Sequence, residues 1–111
     1  MTTKVQLRDK VLKKLGVDSQ GTTVSASDAA IVDEAIDDEH SYLEFKANID
    51  WTTADMPEEV ILSLRDRVAF RVADQFPPAQ VSGEEFDRGL IEIREFMLAT
   101  LSGQPVQADY F

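Results

Sequence analysis

The sequence predicts an all-α fold: a compact bundle of four helices followed by an extended C-terminal tail. Three observations carry that prediction. Pairs of the form Ser or Asp followed three residues later by Asp or Glu recur ahead of apolar runs, as Ser25/Asp28, Asp55/Glu58 and Ser82/Glu85, the side-chain pattern that opens helices. The runs that follow repeat apolar residues every three or four positions, as a helix with one buried face requires. No segment alternates apolar and polar over the length of a strand. At 111 residues the chain is one domain, long enough to bury roughly two-thirds of the surface its unfolded form exposes. Residues 1–103 are expected to form that domain and residues 104–111 the tail.

The first helix is expected from about Thr3 to Leu15, with Gly16 at the stop position. A polar loop, Val17 to Val24, separates it from a second helix that Ser25 opens and that runs to about Asn48. A connection around Trp51 leads to the third helix, where Asp55 and Glu58 flank Pro57, a residue tolerated only in a first turn. Pro77-Pro78 forbid that helix beyond Phe76. Ser82 and Glu85 open the fourth, which reaches Leu101 or Ser102 before Gly103.

Projecting each helix at about 100° per residue separates core from surface. The third carries Val60, Ile61, Leu64, Val68, Val72 and Phe76 on one side, with Leu62, Ala69 and Ala73 widening the arc. Only Glu59, Ser63, Asp66, Arg67 and Asp74 are left for a polar strip, so this helix is expected at the centre. The fourth has a clean stripe of Phe86, Leu90, Ile93, Met97 and Leu101, and also Ile91 and Leu98 on its opposite face. One core cannot easily use both faces of a terminal helix, so Ile91 and Leu98 are candidates for a subunit contact. The second helix is expected to bury Val32, Ala35, Ile36, Tyr42 and Leu43 and to turn its acids outward; Phe45 lies on that acidic side and joins the subunit-contact candidates. Two charges interrupt apolar arcs, Arg8 in the first helix and Glu39 in the second. Their opposite signs suggest a partly buried pair, within one subunit or across two.

Charge is unevenly distributed along a chain of net charge -10. Residues 1–15 hold five lysines and arginines against Asp9, whereas residues 16–59 hold twelve acids against Lys46 alone. Phosphate binding is built on lysine and arginine, so this balance excludes a broad grip on nucleic acid. A basic first helix ahead of an acidic second one suits polar, head-to-tail contacts between copies. No apolar run approaches the roughly 18 residues of a membrane span, and the polar start predicts no signal peptide. The absence of cysteine excludes disulfides and thiolate metal sites.

The chain offers little that could carry catalysis. His40, the only histidine, sits at the edge of an apolar face and reads as a packing residue with one hydrogen bond. Asp37, Asp38 and Glu39 are metal-like in composition, but on a helix they point about 100° apart and cannot converge on one ion. The five glycines are scattered and form no phosphate loop. Asp18-Ser19 invites comparison with acyl carrier proteins, in which Ser19 would be modified, but no apolar helix follows it directly. No catalytic residue, cofactor or metal is expected. A small acidic helical regulatory module that binds a single protein partner is the alternative class.

The order of parts is more specific than any one motif. Gln6-Leu7-Arg8-Asp9-Lys10 leads through Leu15-Gly16-Val17 to Ser25-Ala26-Ser27-Asp28-Ala29-Ala30 and Val32-Asp33-Glu34-Ala35-Ile36-Asp37. Trp51 and then Met56-Pro57-Glu58-Glu59-Val60 follow. Over residues 4–76 this succession resembles the helical head–tail connector, or adaptor, proteins of tailed bacteriophages and related gene-transfer particles, and the fourth helix fits by length and position. The resemblance implies a non-enzymatic virion protein of the neck, made in the host cytoplasm, that forms a closed ring of about twelve copies under the portal. Such a ring extends the DNA channel without binding DNA specifically, offers a platform to tail or stopper proteins, and has no membrane partner. Asp33, Asp37 and Glu44 are then candidates for the channel wall. Arg8, Glu39, Phe45, Ile91 and Leu98 are candidates for the junctions between copies, and Pro105, Val106, Tyr110 and Phe111 for a portal-binding tail.

Overall fold

A computed structural model describes residues 1–17, 25–77 and 79–102, with the backbone alone at 101 and 102. Among these residues the fold is all-α, with four helices: α1 (Lys4–Lys14), α2 (Ala26–Lys46), α3 (Ile61–Val72) and α4 (Gly83–Ser102). Short 3-10 turns precede and follow α3, at Glu58–Val60 and Ala73–Gln75.

The helix ends show why these segments start and stop where they do. Thr3 and Gln6 form a reciprocal capping box on α1: the Gln6 amide donates to the Thr3 hydroxyl, and the Thr3 amide donates to the Gln6 side chain. Gly16, at φ +79°, closes α1 by letting the Gly16 amide reach the Lys13 carbonyl and the Val17 amide reach that of Leu12, the double bond of a Schellman turn. Ser25 caps α2 through the Asp28 amide at 3.0 Å, and Ser82 caps α4 through the Glu85 amide at 3.1 Å, both as the sequence predicts. The expected cap at Asp55/Glu58 does not form. No side chain caps the turn at Glu58. Instead Thr2 and Met56 exchange backbone hydrogen bonds at 2.9 and 2.8 Å, and Glu58 accepts from the Thr2 hydroxyl at 2.8 Å. The stretch before α1 thereby fixes the entry to α3.

As expected from its wide apolar arc, α3 is the central helix and packs against the other three. Ile61, Leu64, Val68 and Val72 are buried there against Leu7, Val11 and Leu12 of α1 and Val32, Ile36 and Leu43 of α2. From α4, Ile93 is fully buried, while Phe86, Leu90 and Met97 of the same stripe are half-buried. Two readings of α3 are corrected. Leu62, placed in the apolar arc, is 61% exposed, and Ser63 and Arg67, placed in the polar strip, are buried. The angles were right, but α4 lies over the side that bears 63 and 67. It crosses there at Gly89, where a Cβ would stand 2.8 Å from the Arg67 Cγ and 3.1 Å from the Ser63 carbonyl. Ser63 then donates to Glu92 across the same crossing at 2.7 Å.

Candidate assembly surfaces and a buried charge cluster

The expected pair between Arg8 and Glu39 does not exist. Arg8 donates to Asp33 at 2.9 Å, and one turn towards the N-terminus Lys4 donates to Asp37 at 2.8 Å. Four residues forward on α1 match four residues back on α2, so the helices run antiparallel with these pairs as rungs. Glu39 lies six residues beyond Asp33, about 240° round the helix, and faces α3 instead. There it accepts from Arg67 Nε at 2.5 Å and from Arg71 Nε at 2.6 Å.

Glu39 and Arg67 are both essentially inaccessible to solvent, so Glu39 is a core residue of the chain and cannot also be a junction between copies. The cluster has two positive charges for one negative, and its surroundings absorb the excess. The Phe86 ring lies 3.9 Å from the Arg67 guanidinium carbon, and the Tyr42 ring 5.4 Å from those of both arginines. Aromatic faces attract cations in this position. The Phe86 carbonyl accepts from Arg67 Nη1 at 2.6 Å. α2, α3 and α4 thus meet on one ionic cluster. Sequence reasoning found the intruding acid and missed both arginines, although two arginines four apart on a largely apolar helix were the available signal.

The outward acids of α2 fall into two stripes. Asp33, Asp37 and Glu44 form the one nearer α1; Asp33 and Asp37 are held by Arg8 and Lys4, and Glu44 approaches His40 Nδ1 at 3.8 Å. About 100° further round, away from α1, lie Glu34, Asp38 and Phe45, with Phe45 77% exposed. His40 is half-buried and its Nε2–H donates to the Trp51 carbonyl at 2.6 Å, the packing role with one hydrogen bond that its position suggested.

Other large apolar side chains are exposed as well. Ile91 and Leu98 are 57% and 65% exposed on the outer face of α4. Leu98, Met97 and Arg94 also wall a cleft of about 460 Å³ against Lys46, Ala47 and Asn48 at the end of α2. A second groove, of about 400 Å³, lies between α1 and α3, lined by Lys10, Lys13, Lys14, Leu62 and Arg65. Glu58 lies beside two groups that favour its charged form. The Thr2 hydroxyl, and after it the N-terminal ammonium 3.2 Å away, hold its carboxyl below the ordinary value of 4.5.

Among the described residues no group of three or more His, Asp or Glu could hold a metal ion, and no helix is long and apolar enough to cross a membrane. Ser19 and the tail residues Pro105, Val106, Tyr110 and Phe111 lie outside the described residues. No family model, curated protein or solved structure matches the chain.

Proposed function

We propose that this chain is a structural head–tail connector of a tailed phage. About twelve copies would form a ring under the portal, the closed solution for repeated head-to-tail contacts. The observation that supports the reading best is the placement of Ile91 and Leu98. They are two turns apart on one face of α4 and more than half exposed, while the opposite face of that helix supplies Ile93 to the core. A terminal helix apolar on both sides has a use for the second side, and a neighbouring copy supplies it. Phe45 adds a third exposed anchor on α2.

In this reading the α2 stripe that ends at Glu44 lines the channel, where carboxylates repel the DNA backbone and let it slide. Asp33 and Asp37 contribute less than Glu44, because Arg8 and Lys4 already offset them. Residues 104–111, with Pro105, Val106, Tyr110 and Phe111, serve as the portal anchor, and the outer rim of the ring receives the tail or stopper protein. The deciding experiment is co-expression with the portal protein encoded in the same genome. Co-elution as one large complex, with a ring of this chain beneath the portal in electron micrographs, is the expected result. A chain that elutes apart from an assembled portal, or whose genome encodes none, refutes the reading.

A further inference from the structure

The groove between α1 and α3 is not explained by the packing of the monomer. Leu62 lies 61% exposed in it, although α3 is otherwise the most buried helix. Four cations surround that leucine. Lys14 and Arg65 share Asp66, at 3.4 and 3.0 Å, and Lys14 also approaches Glu85 at 3.6 Å. Lys10 and Lys13 stand exposed and take part in none of the ion pairs among the described residues. The groove is therefore apolar at its floor and positive at its rim.

A surface of the opposite kind occurs on the far flank of the same chain. Phe45 projects from α2 beside Asp38 and Glu34, which are exposed and likewise outside those ion pairs. Lys46 lies over the Phe45 ring at 5.2 Å and still leaves it 77% exposed. The two surfaces point in different directions. Leu62 and Arg71 are nine residues apart, two and a half turns at about 3.6 residues per turn, so they leave α3 on opposite sides. Arg71 reaches Glu39 of α2, so Leu62 looks away from α2, while the Glu34–Asp38–Phe45 stripe looks away from α1.

We infer that the α1–α3 groove is the receiving half of a head-to-tail junction, occupied by Phe45 of a second copy, with Asp38 and Glu34 of that copy meeting Lys10 and Lys13. The inference rests on the ring reading for why copies meet, and it names the two surfaces by which they do so. Because each copy carries the knob on one flank and the groove on the other, the contact is heterologous and propagates until a ring closes.

That polarity allows a test that needs no portal. Leu62→Asp removes the groove and keeps the knob, and Phe45→Asp does the reverse. Both residues are exposed, and circular dichroism checks that both variants fold. In sedimentation equilibrium at physiological ionic strength, the wild-type chain should associate with a Kd at or below about 1 mM. Each variant alone should bind itself at least tenfold more weakly. An equimolar mixture should form a 1:1 heterodimer and nothing larger, since one intact groove and one intact knob remain. Lys10→Glu/Lys13→Glu, a groove variant that leaves Leu62 in place, should receive the knob of Leu62→Asp more weakly than Phe45→Asp, whose groove is intact, does. Wild-type chain that stays monomeric, a mixture that stays monomeric, or Phe45→Asp that self-associates like wild type each overturns the inference. If Leu62→Asp still forms full rings on the portal, the junction is elsewhere while the connector reading stands; head-to-tail association by a chain that ignores portals shows the reverse.

Discussion

Replacing Glu39 by glutamine keeps the shape of the side chain and removes only its charge, so the variant isolates what the buried cluster contributes. In the wild type both carboxylate oxygens accept from arginine, Oε2 from Arg67 and Oε1 from Arg71. Glutamine offers one acceptor oxygen and turns an NH2 group, a donor, towards the second arginine. Arg67, about 1% exposed, is then a buried cation whose counter-charge is gone, a loss that typically costs roughly 3–5 kcal/mol. Set against the 5–15 kcal/mol that holds most domains together, this is severe. At about 4 °C per kcal/mol for a domain near this size, the melting temperature should fall by roughly 12–20 °C. Thermal and urea melts followed by far-ultraviolet circular dichroism would measure it. The double variant Glu39→Leu/Arg67→Met should recover much of the loss, because it leaves no fully buried charge unpaired and Arg71, 29% exposed, can turn its guanidinium to solvent. Should Glu39→Gln melt within about 3 °C of wild type, the cluster is not the stabilising contact that its burial implies.

Other variants probe separate parts of the fold. Gly89→Ala improves helix propensity by about 1 kcal/mol, yet its methyl group meets Arg67 Cγ at 2.8 Å; overpacking costs about 1–3 kcal/mol, so a net loss of up to about 2 kcal/mol is expected in urea melts. Glu58→Gln tests the clamp between the N-terminal stretch and α3. The folded-state carboxyl titrates below its ordinary value, so its contribution is complete above pH 4.5 and is lost as pH falls through the lowered folded pKa. The melting difference between wild type and Glu58→Gln should therefore vanish on acidification. Ile91→Ser/Leu98→Ser should alter monomer stability by no more than about 0.5 kcal/mol per site, as exposed substitutions do, while abolishing ring formation on the portal.

Helix starts were legible where the cap is a short-range affair of side chain and backbone, as at Ser25 and Ser82. The same logic failed at Asp55 because a long-range bridge from Thr2 to Met56 decides that connection, and no local pattern announces it. It also passed over the box at Thr3 and Gln6, although the spacing was present. The central place of α3 followed from the width of its apolar arc. Which polar residues of α3 would be buried did not, since angle alone cannot tell where a fourth helix will lie. Gly89, whose lack of a side chain leaves room for Arg67 where α4 crosses, was the missing clue. Arg8 and Glu39 were recognised as charges in apolar arcs, but matching them by sign ignored register. Asp33 stands on the face of α2 that meets α1, and Glu39 stands on the face that meets α3.

The charge distribution sets two electrostatic effects against each other during self-association, and they differ in range. Two copies of net charge -10 repel at distances well beyond contact. Lysine rims on one copy and carboxylates on the next attract only when they touch. Salt removes the long-range effect first, because the screening length falls from about 30 Å at 0.01 M to about 8 Å at 0.15 M and about 3 Å at 1 M. Raising ionic strength from very low values should therefore strengthen association at first, by relieving repulsion. Beyond roughly 0.15 M it should weaken it, as the contacts between Lys10 or Lys13 and the acids of α2 are screened in turn. Sedimentation equilibrium across that range should show a maximum, with the chain close to monomeric at its low-salt end. A steady rise with salt means that apolar contacts at Ile91 and Leu98 dominate and the charged junction adds nothing. A tight oligomer at the lowest salt refutes the argument, because it would require contact attraction to exceed the unscreened repulsion of the whole chain.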